Sequence, residues 1–453
     1  MMMRLSDLAK MLGAPLHGAD AAFDAVCTDT RVIRRGNLFI ALKGERFDAN
    51  AFVAQAAVAG AVAALVERAS DAPIPQIVVG NTLDALAAFG RQWRDCFDIP
   101  LIALTGSNGK TTVKEMLASI LRTQAGGENV LSTRGNLNNH IGVPLMLLEL
   151  RKRHRYAAIE MGMNHPGEIA QLAAIGRPTV ALVNNAQREH MEFMDSVEAV
   201  ARENAAVFAA LPPDGTAVVN ADDAHADYFR EAAGAHRIVD FGIDKPAAVS
   251  GGYVLKNLSS EIQLRTPAGL ASATLAIPGL HNVRNALAAC ACAHAIGIAP
   301  AVMGEGLDNF RPYTGRLQVK RAVNGATVID DSYNANPDSV RAAIDVLARC
   351  APPTVLVLGD MGEVGDHAAE FHREVGAYAR NRNVSSLCAF GAQAGEAAAA
   401  FGAAATHARS IEQLLECVQA CATPQATLLV KGSRFMRMER VVSALTGETG
   451  GAH

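Results

Sequence analysis

The sequence predicts an α/β protein of three domains, in which a central parallel sheet is flanked by a small N-terminal α/β domain and a C-terminal α/β domain. Its length of 453 residues corresponds to about two to four domains, at about 100–200 residues each. Short apolar runs alternate with alanine-rich helical stretches, which is typical of parallel sheets covered by helices. Apolar residues make up 50% of the chain and charged residues 19%, as expected for a globular protein with aliphatic cores.

The N-terminal domain is predicted to span residues 1–97. Apolar runs at 38–42, 61–66 and 76–79 are short enough for strands, and the alanine-rich stretches between them favour helices. The first twelve residues, MMMRLSDLAKML, carry charges within their apolar stretch. This segment is therefore not a secretory signal, and we expect a cytoplasmic protein.

The central domain is predicted to span residues 98–313, where apolar strands again alternate with helical patterns. Its candidate strands are 101–104, 157–160, 180–184 and 217–220. Residues 242–278 have a more β-like pattern and are predicted to form an antiparallel edge. The apolar run 286–303 contains a proline and is mostly alanine, so we interpret it as a buried helix and turn and not as a membrane span. Residues 309–314 are interpreted as a linker.

The C-terminal domain is predicted to span residues 314–453. Strands at 327–330, 354–358, 387–390 and 427–430 repeat the alternation with helices, which predicts a Rossmann-like α/β domain.

Charge and cysteine usage exclude several classes of protein. The net charge of −4 argues against a broad basic surface for nucleic acid. Eight cysteines are scattered along the chain without a CxxC pair, which suits reduced thiols. Cys290, Cys292 and His294 resemble a metal cluster, but residues two apart on a helix point about 200° apart. We therefore interpret these cysteines as small buried side chains.

The strongest chemical signal is a glycine-rich loop after the strand 101–104. A strand, a tight turn and a helix starting near Val113 form the geometry in which backbone N–H groups and the helix N-terminus hold phosphates. Lys110 is predicted to reach the terminal phosphates of ATP and Thr111 to bind Mg²⁺. The alternative is an ordinary glycine turn with a surface lysine. The predicted ATP-binding residues of this loop are Gly106, Ser107, Asn108, Gly109, Lys110, Thr111 and Thr112.

This loop, TGSNGKTT, is shorter than the GxxxxGK[ST] pattern and resembles that of the Mur ligase superfamily, which also includes folylpolyglutamate synthases. Further tracts resemble the branch that adds D-alanyl-D-alanine: GNLNNHIGVP (135–144), IEMGMN (159–164), HNVRNA (281–286), DDSYNANP (330–337), LGDMGE (358–363) and VKGSR (430–434). The resemblance implies an ATP-dependent ligase that joins D-alanyl-D-alanine to UDP-N-acetylmuramoyl-tripeptide through an acyl phosphate. It also implies that residues 1–97 bind the UDP-muramoyl end and that the C-terminal domain closes over ATP and binds the dipeptide.

The resemblance also implies a catalytic set of Lys110, Glu160 and His190, the last two as ligands of Mg²⁺ with Thr111. Two ions are expected. The lysine that the family carbamylates to hold the second ion is replaced by Asn204, so no carbamylated lysine is predicted, and Glu203 is a possible substitute. The alternatives are a surface carboxylate at Glu160 and a structural histidine at position 190.

Other site residues follow from the same resemblance. Asn282 and Asn285 share a helical face and are predicted to contact adenine, with helix capping as the alternative. Arg316 is assigned to the phosphates, Asp331 to the ribose and Tyr333 to the cleft. The substrate-binding candidates are Thr30, Arg31, Lys43, Arg46 and Asp48 for the UDP-muramoyl end, Asn138, Asn139, Asn334 and Asn336 for the cleft, and Lys431 and Arg434, with Asp360, Glu363 and Ser433, near the dipeptide. His367 and His372 are interpreted as surface residues.

The alternative functions are a sibling ligase that adds a single amino acid, a phosphate-loop NTPase acting as a switch or motor, and a nucleotide sensor without turnover. The DNPR tract of the third-residue ligase is absent, and folylpolyglutamate synthases more often have GKGS after the asparagine. The short loop disfavours the NTPase. A sensor is disfavoured because Lys110, Thr111 and Glu160 are all present. We expect a monomer with no nucleic-acid partner and no membrane span.

Overall fold

The computed structural model describes residues 1–44 and 47–448. Three large β-sheets, each packed against helices, follow one another along the chain, in agreement with the predicted α/β fold class. The predicted substrate residue Arg46 lies outside the described residues. In the described part of the chain, no helix is both long enough and apolar enough to cross a bilayer.

The first sheet has five strands in the order β2-β9-β8-β5-β4, with β2 antiparallel to β9 and the others parallel. Strands β6 and β7 form a separate two-stranded antiparallel sheet. The elements are β1 (Met3–Arg4), α1 (Leu5–Leu12), β2 (Leu16–His17), β3 (Ala22–Phe23), β4 (Ala25–Cys27), β5 (Asn37–Ile40), β6 (Lys43–Gly44), β7 (Phe47–Asp48), α2 (Val53–Val58), β8 (Ala63–Val66), β9 (Gln76–Val78) and α3 (Thr82–Arg94).

The second sheet has six parallel strands in the order β11-β12-β10-β13-β14-β15. Its strands are almost entirely apolar because helices cover both faces. The elements are β10 (Leu101–Thr105), α4 (Lys110–Ala125), β11 (Val130–Ser132), α5 (Gly142–Leu147), β12 (Tyr156–Glu160), α6 (Glu168–Gly176), β13 (Val180–Val183), α7 (Val197–Ala205), β14 (Thr216–Asn220), α8 (Ala226–Ala233) and β15 (Arg237–Phe241).

A separate antiparallel meander follows, made of β16 (Ser250–Leu255), β17 (Ser260–Thr266) and β18 (Gly269–Leu275). The antiparallel character predicted for residues 242–278 is confirmed, but these strands form their own sheet instead of an edge of the parallel one. The buried helix and the turn predicted for 286–303 are confirmed, and the run also enters a second helix that was not predicted: α9 (Leu280–Ala295) is followed by α10 (Pro300–Asn309).

The third sheet has the order β19-β20-β24-β21-β22-β23, with only β19 antiparallel. The elements are β19 (Gln318–Arg321), β20 (Thr327–Asp331), α11 (Pro337–Leu347), β21 (Thr354–Gly359), α12 (Ala368–Asn381), β22 (Ser386–Phe390), α13 (Ala394–Phe401), β23 (Ala405–Ala408), α14 (Ile411–Cys421), β24 (Thr427–Lys431) and α15 (Glu439–Thr446).

Two local predictions were wrong. Helix α4 begins at Lys110 and not near Val113, because Gly109 turns the backbone at a φ of 83° and the helix starts immediately after it. His372 is fully buried and not on the surface. Its Nε2 accepts the Met361 N–H at 3.0 Å and its Nδ1 lies 2.6 Å from the Ala368 carbonyl oxygen, so a neutral imidazole fits the core. His367 is exposed, as predicted.

Candidate active site

The glycine-rich loop lies between β10 and α4, at the carboxyl end of the central strand. Gly106 has a φ of 130° and Gly109 a φ of 83°, a region that favours glycine. A Cβ at position 109 would lie 2.8 Å from the Asn184 Nδ2 atom and would overlap the Asn285 Oδ1 atom. Both glycines are therefore required for the loop to pack closely against the asparagines beneath it.

A cavity of about 910 Å³ opens between the second and third sheets, at the carboxyl ends of β10, β12, β13, β20 and β24. Ligands collect at this edge in α/β folds, and the volume suits a nucleotide together with part of a second substrate. The structure brings most of the predicted site residues to its walls: Ser107, Asn108, Gly109, Lys110, Thr111, Thr112, Asn138, Asn139, Glu160, His190, Asn282, Asn285, Arg316, Asp331, Tyr333, Asn334, Asn336, Glu363, Lys431 and Arg434.

The segment after β13 holds the loop in place, and the sequence analysis missed this role. The Asn108 N–H donates to Asn185 Oδ1 at 2.8 Å, and its side chain donates to Gln187 Oε1 at 2.6 Å. Asn184 donates to the Asn108 carbonyl at 2.8 Å. A polar run, NNAQREH, directly after an apolar strand was the available signal. It places side chains at the same sheet edge as the loop.

Lys110 is held against its own loop. Its Nζ donates to the carbonyl oxygens of Gly106 and Ser107 and to Glu189 Oε1 at 2.9 Å. Glu189 is a second residue that the sequence analysis did not identify. Its carboxylate pairs with Lys110 in this structure. We expect a phosphate group to replace this carboxylate as the partner of Lys110 when a nucleotide binds.

Glu160 and Asn138 form a pair at the end of β12. Asn138 donates to Glu160 Oε1 at 2.9 Å, and Glu160 is buried. Within the described residues, the other oxygen, Oε2, is buried without a hydrogen-bond partner. Burying a carboxylate oxygen without a partner costs free energy unless a cation binds to it. Because Thr111 lines the same cavity, these residues fit Mg²⁺, which prefers oxygen ligands.

His190 bridges two domains in this structure. Its backbone has a φ of 53°, and its Nδ1 lies 2.6 Å from Glu363 Oε2, across the cleft. Burial opposes the charged form, but the carboxylates of Glu189 and Glu363 outweigh it and raise the pKa of His190 to about 9. A protonated imidazole has no free lone pair. A metal role for His190 therefore requires loss of that proton and release of Glu363.

Asn204, the residue that the sequence resemblance assigns to the lysine position, has no amine that could carry a carbamate. It is fully buried, and its Oδ1 accepts from the Thr105 hydroxyl at 2.7 Å. Glu203 was the proposed substitute, but its two oxygens accept the N–H groups of Gly167 and Ile169 at the start of α6. Both of its oxygens therefore already accept hydrogen bonds at that helix N-terminus, which leaves neither of them free to bind a metal.

Asn282 and Asn285 lie one above the other on α9, as their spacing predicts. Asn285 donates to Asn282 Oδ1 at 3.1 Å and accepts from Asn184 at 3.1 Å. Asn282 itself donates to the Pro278 carbonyl, so neither side chain caps the helix N–H groups. They connect the nucleotide loop to α9 and line the cavity. A contact with adenine remains a prediction.

The C-terminal wall of the cavity carries several cations. Lys431 is buried and pairs with Asp331 Oδ2 at 2.6 Å, while burial lowers the pKa of Lys431. Arg316 stacks on Tyr333 at 4.3 Å from the ring centroid, and Arg434 lies 5.7 Å from the same ring. Since Lys431 already has a partner, the two arginines are the better candidates for substrate carboxylate or phosphate.

The asparagines predicted to line the cleft also make hydrogen bonds within the protein. Asn139 accepts the Gly142 N–H at 2.9 Å, and Asn334 accepts the N–H of the next residue. Asn336 caps α11 and donates to Asn108 Oδ1 at 2.9 Å across the cleft. Ser433 and Asp360 support this wall from behind: Ser433 accepts the Gly362 N–H, and Asp360 accepts the Ala394 N–H.

The candidates in the N-terminal domain lie elsewhere. Within the described residues, none of Thr30, Arg31, Lys43 and Asp48 lines the main cavity. Arg31 pairs with Asp29 at 2.6 Å and remains largely exposed. Lys43 and Asp48 are paired in register on β6 and β7, and the Asp48 carboxylate bonds Arg68 at 2.8 Å. A role with the UDP end therefore stays a prediction.

Arg188 joins the central and C-terminal domains. Its guanidinium bonds Asp338 at 2.6 Å and Glu374 at 2.7 Å, and it stacks on Phe371 at 5.1 Å. We expect Arg188→Met to open the cleft, because two charge-assisted contacts are lost on one side of a domain closure. The expected effect is a rise of about 10-fold in KM for ATP and a larger radius of gyration by small-angle scattering.

Arg373 provides the matched control, because it pairs with Glu396 within the C-terminal domain at 2.9 Å. Arg373→Met should leave both quantities unchanged. An Arg188→Met protein with the scattering profile and KM of the parent would show that this contact does not hold the cleft closed.

Comparison with known proteins agrees with this geometry. Residues 104–293 match the Mur ligase middle domain, and residues 315–434 match the family described as Mur ligase, glutamate ligase domain. The UDP-N-acetylmuramoyl-tripeptide--D-alanyl-D-alanine ligase of Escherichia coli (strain K12) is 40% identical over 447 residues, covering 97% of this chain and 98% of that protein. The ligase of the same name from Haemophilus influenzae is 37% identical, covering 98% and 99%.

Solved structures are similar over the same span. Crystal structure I of MurF from Acinetobacter baumannii superposes with a TM-score of 0.91 at 37% identity, covering 98% of each chain. The MurF ligase from Thermotoga maritima in complex with ADP superposes with a TM-score of 0.82 at 25% identity, covering 93% of this chain and 96% of that one. The likeness therefore extends over all three sheets.

Proposed function

Because this chain belongs to the Mur ligase family, we propose that it activates the carboxylate of UDP-N-acetylmuramoyl-tripeptide with ATP and joins it to D-alanyl-D-alanine. It is an ATP-dependent, ADP-forming ligase of peptidoglycan precursor synthesis. The observation that carries the assignment is the cavity in which Lys110 and Thr111 meet the Glu160 Oε2 atom, which has no hydrogen-bond partner in the described part of the chain. The proposal includes a cytoplasmic location and a monomeric state.

The position of the cavity supports the proposed roles of the central and C-terminal domains. We assign residues 98–313 to ATP binding and 314–453 to closure and the incoming dipeptide, since the cavity lies between their sheets. Residues 1–97 are assigned to the UDP-muramoyl end, with Thr30, Arg31, Lys43 and Asp48 as candidate contacts. Contacts across the cleft, such as Asn336 with Asn108, support closure as part of the mechanism.

The first chemical step must bring a carboxylate onto a triphosphate, so two negative groups approach each other. In the proposed mechanism a carboxylate oxygen attacks the γ-phosphorus and ADP leaves, forming an acyl phosphate. Lys110 gives up Glu189 for the phosphates, and Arg316 offers a second cation from the opposite wall. Bound Mg²⁺, held by Thr111 and Glu160, would neutralise further phosphate charge.

The second step is attack of the dipeptide amine on the acyl carbon. A tetrahedral intermediate forms, and inorganic phosphate leaves with the former carboxylate oxygen. Closure of the C-terminal domain over the cavity excludes water, which would otherwise hydrolyse the acyl phosphate. Arg434, at the rim near Tyr333, is the candidate partner for the dipeptide carboxylate, because an arginine binds a carboxylate in a bidentate manner.

A coupled phosphate-release assay tests the function. With ATP, Mg²⁺ and UDP-N-acetylmuramoyl-tripeptide, phosphate release should require D-alanyl-D-alanine and be accompanied by one equivalent of the pentapeptide product. Meso-diaminopimelate or glutamate as acceptor, each with its own UDP-muramoyl precursor, should give only background release. Equal turnover without any acceptor would contradict the ligase assignment and favour a simple NTPase.

A further inference from the structure

Three cysteines that are far apart in sequence come together in the C-terminal domain, outside the active-site cavity. Cys388 lies on β22, and Cys417 and Cys421 lie on α14. Their three sulfur atoms all lie within 4.8 Å of one another. Neither the ligase reaction nor the phosphate loop uses these side chains.

The fold builds this cluster from one strand and one helix. Cys417 and Cys421 are four positions apart on α14, so their side chains occupy the same helical face one turn apart. α14 packs on β22 and β23, and Cys388 is only 1% exposed beneath it. Cys417 and Cys421 are half-buried. The cluster is therefore closed on the sheet side and reachable from the helix side.

The separations suit one central atom. A three-coordinate centre whose bonds to thiolate sulfur are ~2.3 Å long, as zinc's are, holds its sulfurs about 4.0 Å apart when it is planar and about 3.4 Å apart when it is pyramidal. From the observed limit of 4.8 Å, no sulfur pair needs to close by more than about 1.4 Å. Side-chain rotation of the two half-buried cysteines on α14 is sufficient for that movement.

Charge decides which element fits. Cys388 is buried, so an uncompensated thiolate is disfavoured there. Cys421 is the last residue of α14, and the carbonyl end of a helix also disfavours negative charge. Three thiolates would leave a charge of −2 around a monovalent ion and −1 around a divalent ion. A trivalent element leaves no net charge, which avoids the cost of a buried ion.

We propose that Cys388, Cys417 and Cys421 form a binding site for a trivalent thiophilic element, taken up as a neutral hydroxide such as arsenous acid, As(OH)₃. Three As–O bonds break and three As–S bonds form. Each thiol proton leaves with a hydroxyl as water, so three waters are released and no oxidant or reductant takes part. The product joins β22 to α14 and should raise the Tm of the protein.

The test uses the reduced full-length chain with sodium arsenite and native mass spectrometry. The parent protein should gain the mass of one arsenic atom less three hydrogens, with three sulfur neighbours by X-ray absorption. Cys388→Ala, Cys417→Ala and Cys421→Ala should each weaken binding by more than about 10-fold, since outer-shell changes alone cost 10–100-fold. Any remaining adduct should be heavier by one water, because one hydroxyl stays on the arsenic.

Cys350→Ala is the matched control, since Cys350 is a buried cysteine of the same domain outside the cluster. It should bind arsenite as the parent does, and all four variants should retain ligase activity. Circular dichroism checks that Cys388→Ala is folded, and Cys417→Ala tests the proposal independently at a half-buried position. An unchanged adduct in a triple-alanine variant would overturn the proposal, as would tighter binding of Zn²⁺ than of arsenite at these sulfurs.

Discussion

Lys110→Ala is expected to lower the rate of ADP formation by about 10²–10³-fold, which is the scale of losing one fixed charge at a site of developing negative charge. The Lys110 ammonium lies within the phosphate loop, bonded to two loop carbonyls and to Glu189. Without it, Glu189 would add its own uncompensated negative charge close to the phosphates. The variant should therefore also bind ATP more weakly, as measured by titration calorimetry alongside steady-state kinetics.

Two further variants define this effect. Lys152→Ala removes an exposed lysine of the same domain and should keep full activity, which excludes a general effect of net charge. Lys110→Ala combined with Glu189→Gln should recover part of the ATP affinity lost in the single variant, because the unpaired carboxylate is gone. Dipeptide attachment at the parent rate in Lys110→Ala would disprove the proposed role of the loop.

The second large effect is expected for Glu160→Gln. The amide keeps the size of the side chain and can still accept a hydrogen bond from Asn138, but it removes the negative charge that a cation needs. We expect at least a 10²-fold loss of activity, on the order of removing one electrostatic contact to the reacting phosphate. The Mg²⁺ concentration for half-maximal ADP binding should rise by about 10-fold or more.

Glu149→Gln is a suitable control, because Glu149 pairs with Arg134 in the same domain but does not line the cavity. It should change neither the rate nor the Mg²⁺ dependence of ADP binding. If Glu160→Gln slowed the reaction without altering the Mg²⁺ dependence, its role would be to position Asn138 and not to bind a cation.

The phosphate loop could be predicted from sequence because its determinants are local. An apolar strand and, in the five residues that follow it, two glycines and a lysine specify the turn, and the structure shows both glycines at positive φ. The strands were predictable for a similar reason. Fully buried parallel strands are nearly continuous apolar runs, such as Leu101–Thr105. Such runs can be recognised without knowing which strands lie beside them.

Errors arose where the environment depends on distant residues. His372 has the sequence surroundings of an exposed helix, yet α12 turns it into the core, where the Met361 N–H satisfies it. Glu203 was a plausible metal ligand by position, but it caps α6. In both cases a backbone group from another segment provides the partner, and no local pattern reveals it.

The sequence by itself determined the order of the elements, the nucleotide loop and, through its resemblance, the family of the enzyme. Only the tertiary structure decided which charges meet: Lys110 with Glu189, Arg188 with Asp338 across the cleft, and three dispersed cysteines at one point. The physical reason is the distance along the chain over which each interaction acts. Backbone geometry and helix or strand periodicity act over a few residues, whereas pairing of charges and thiols depends on how the sheets and helices pack.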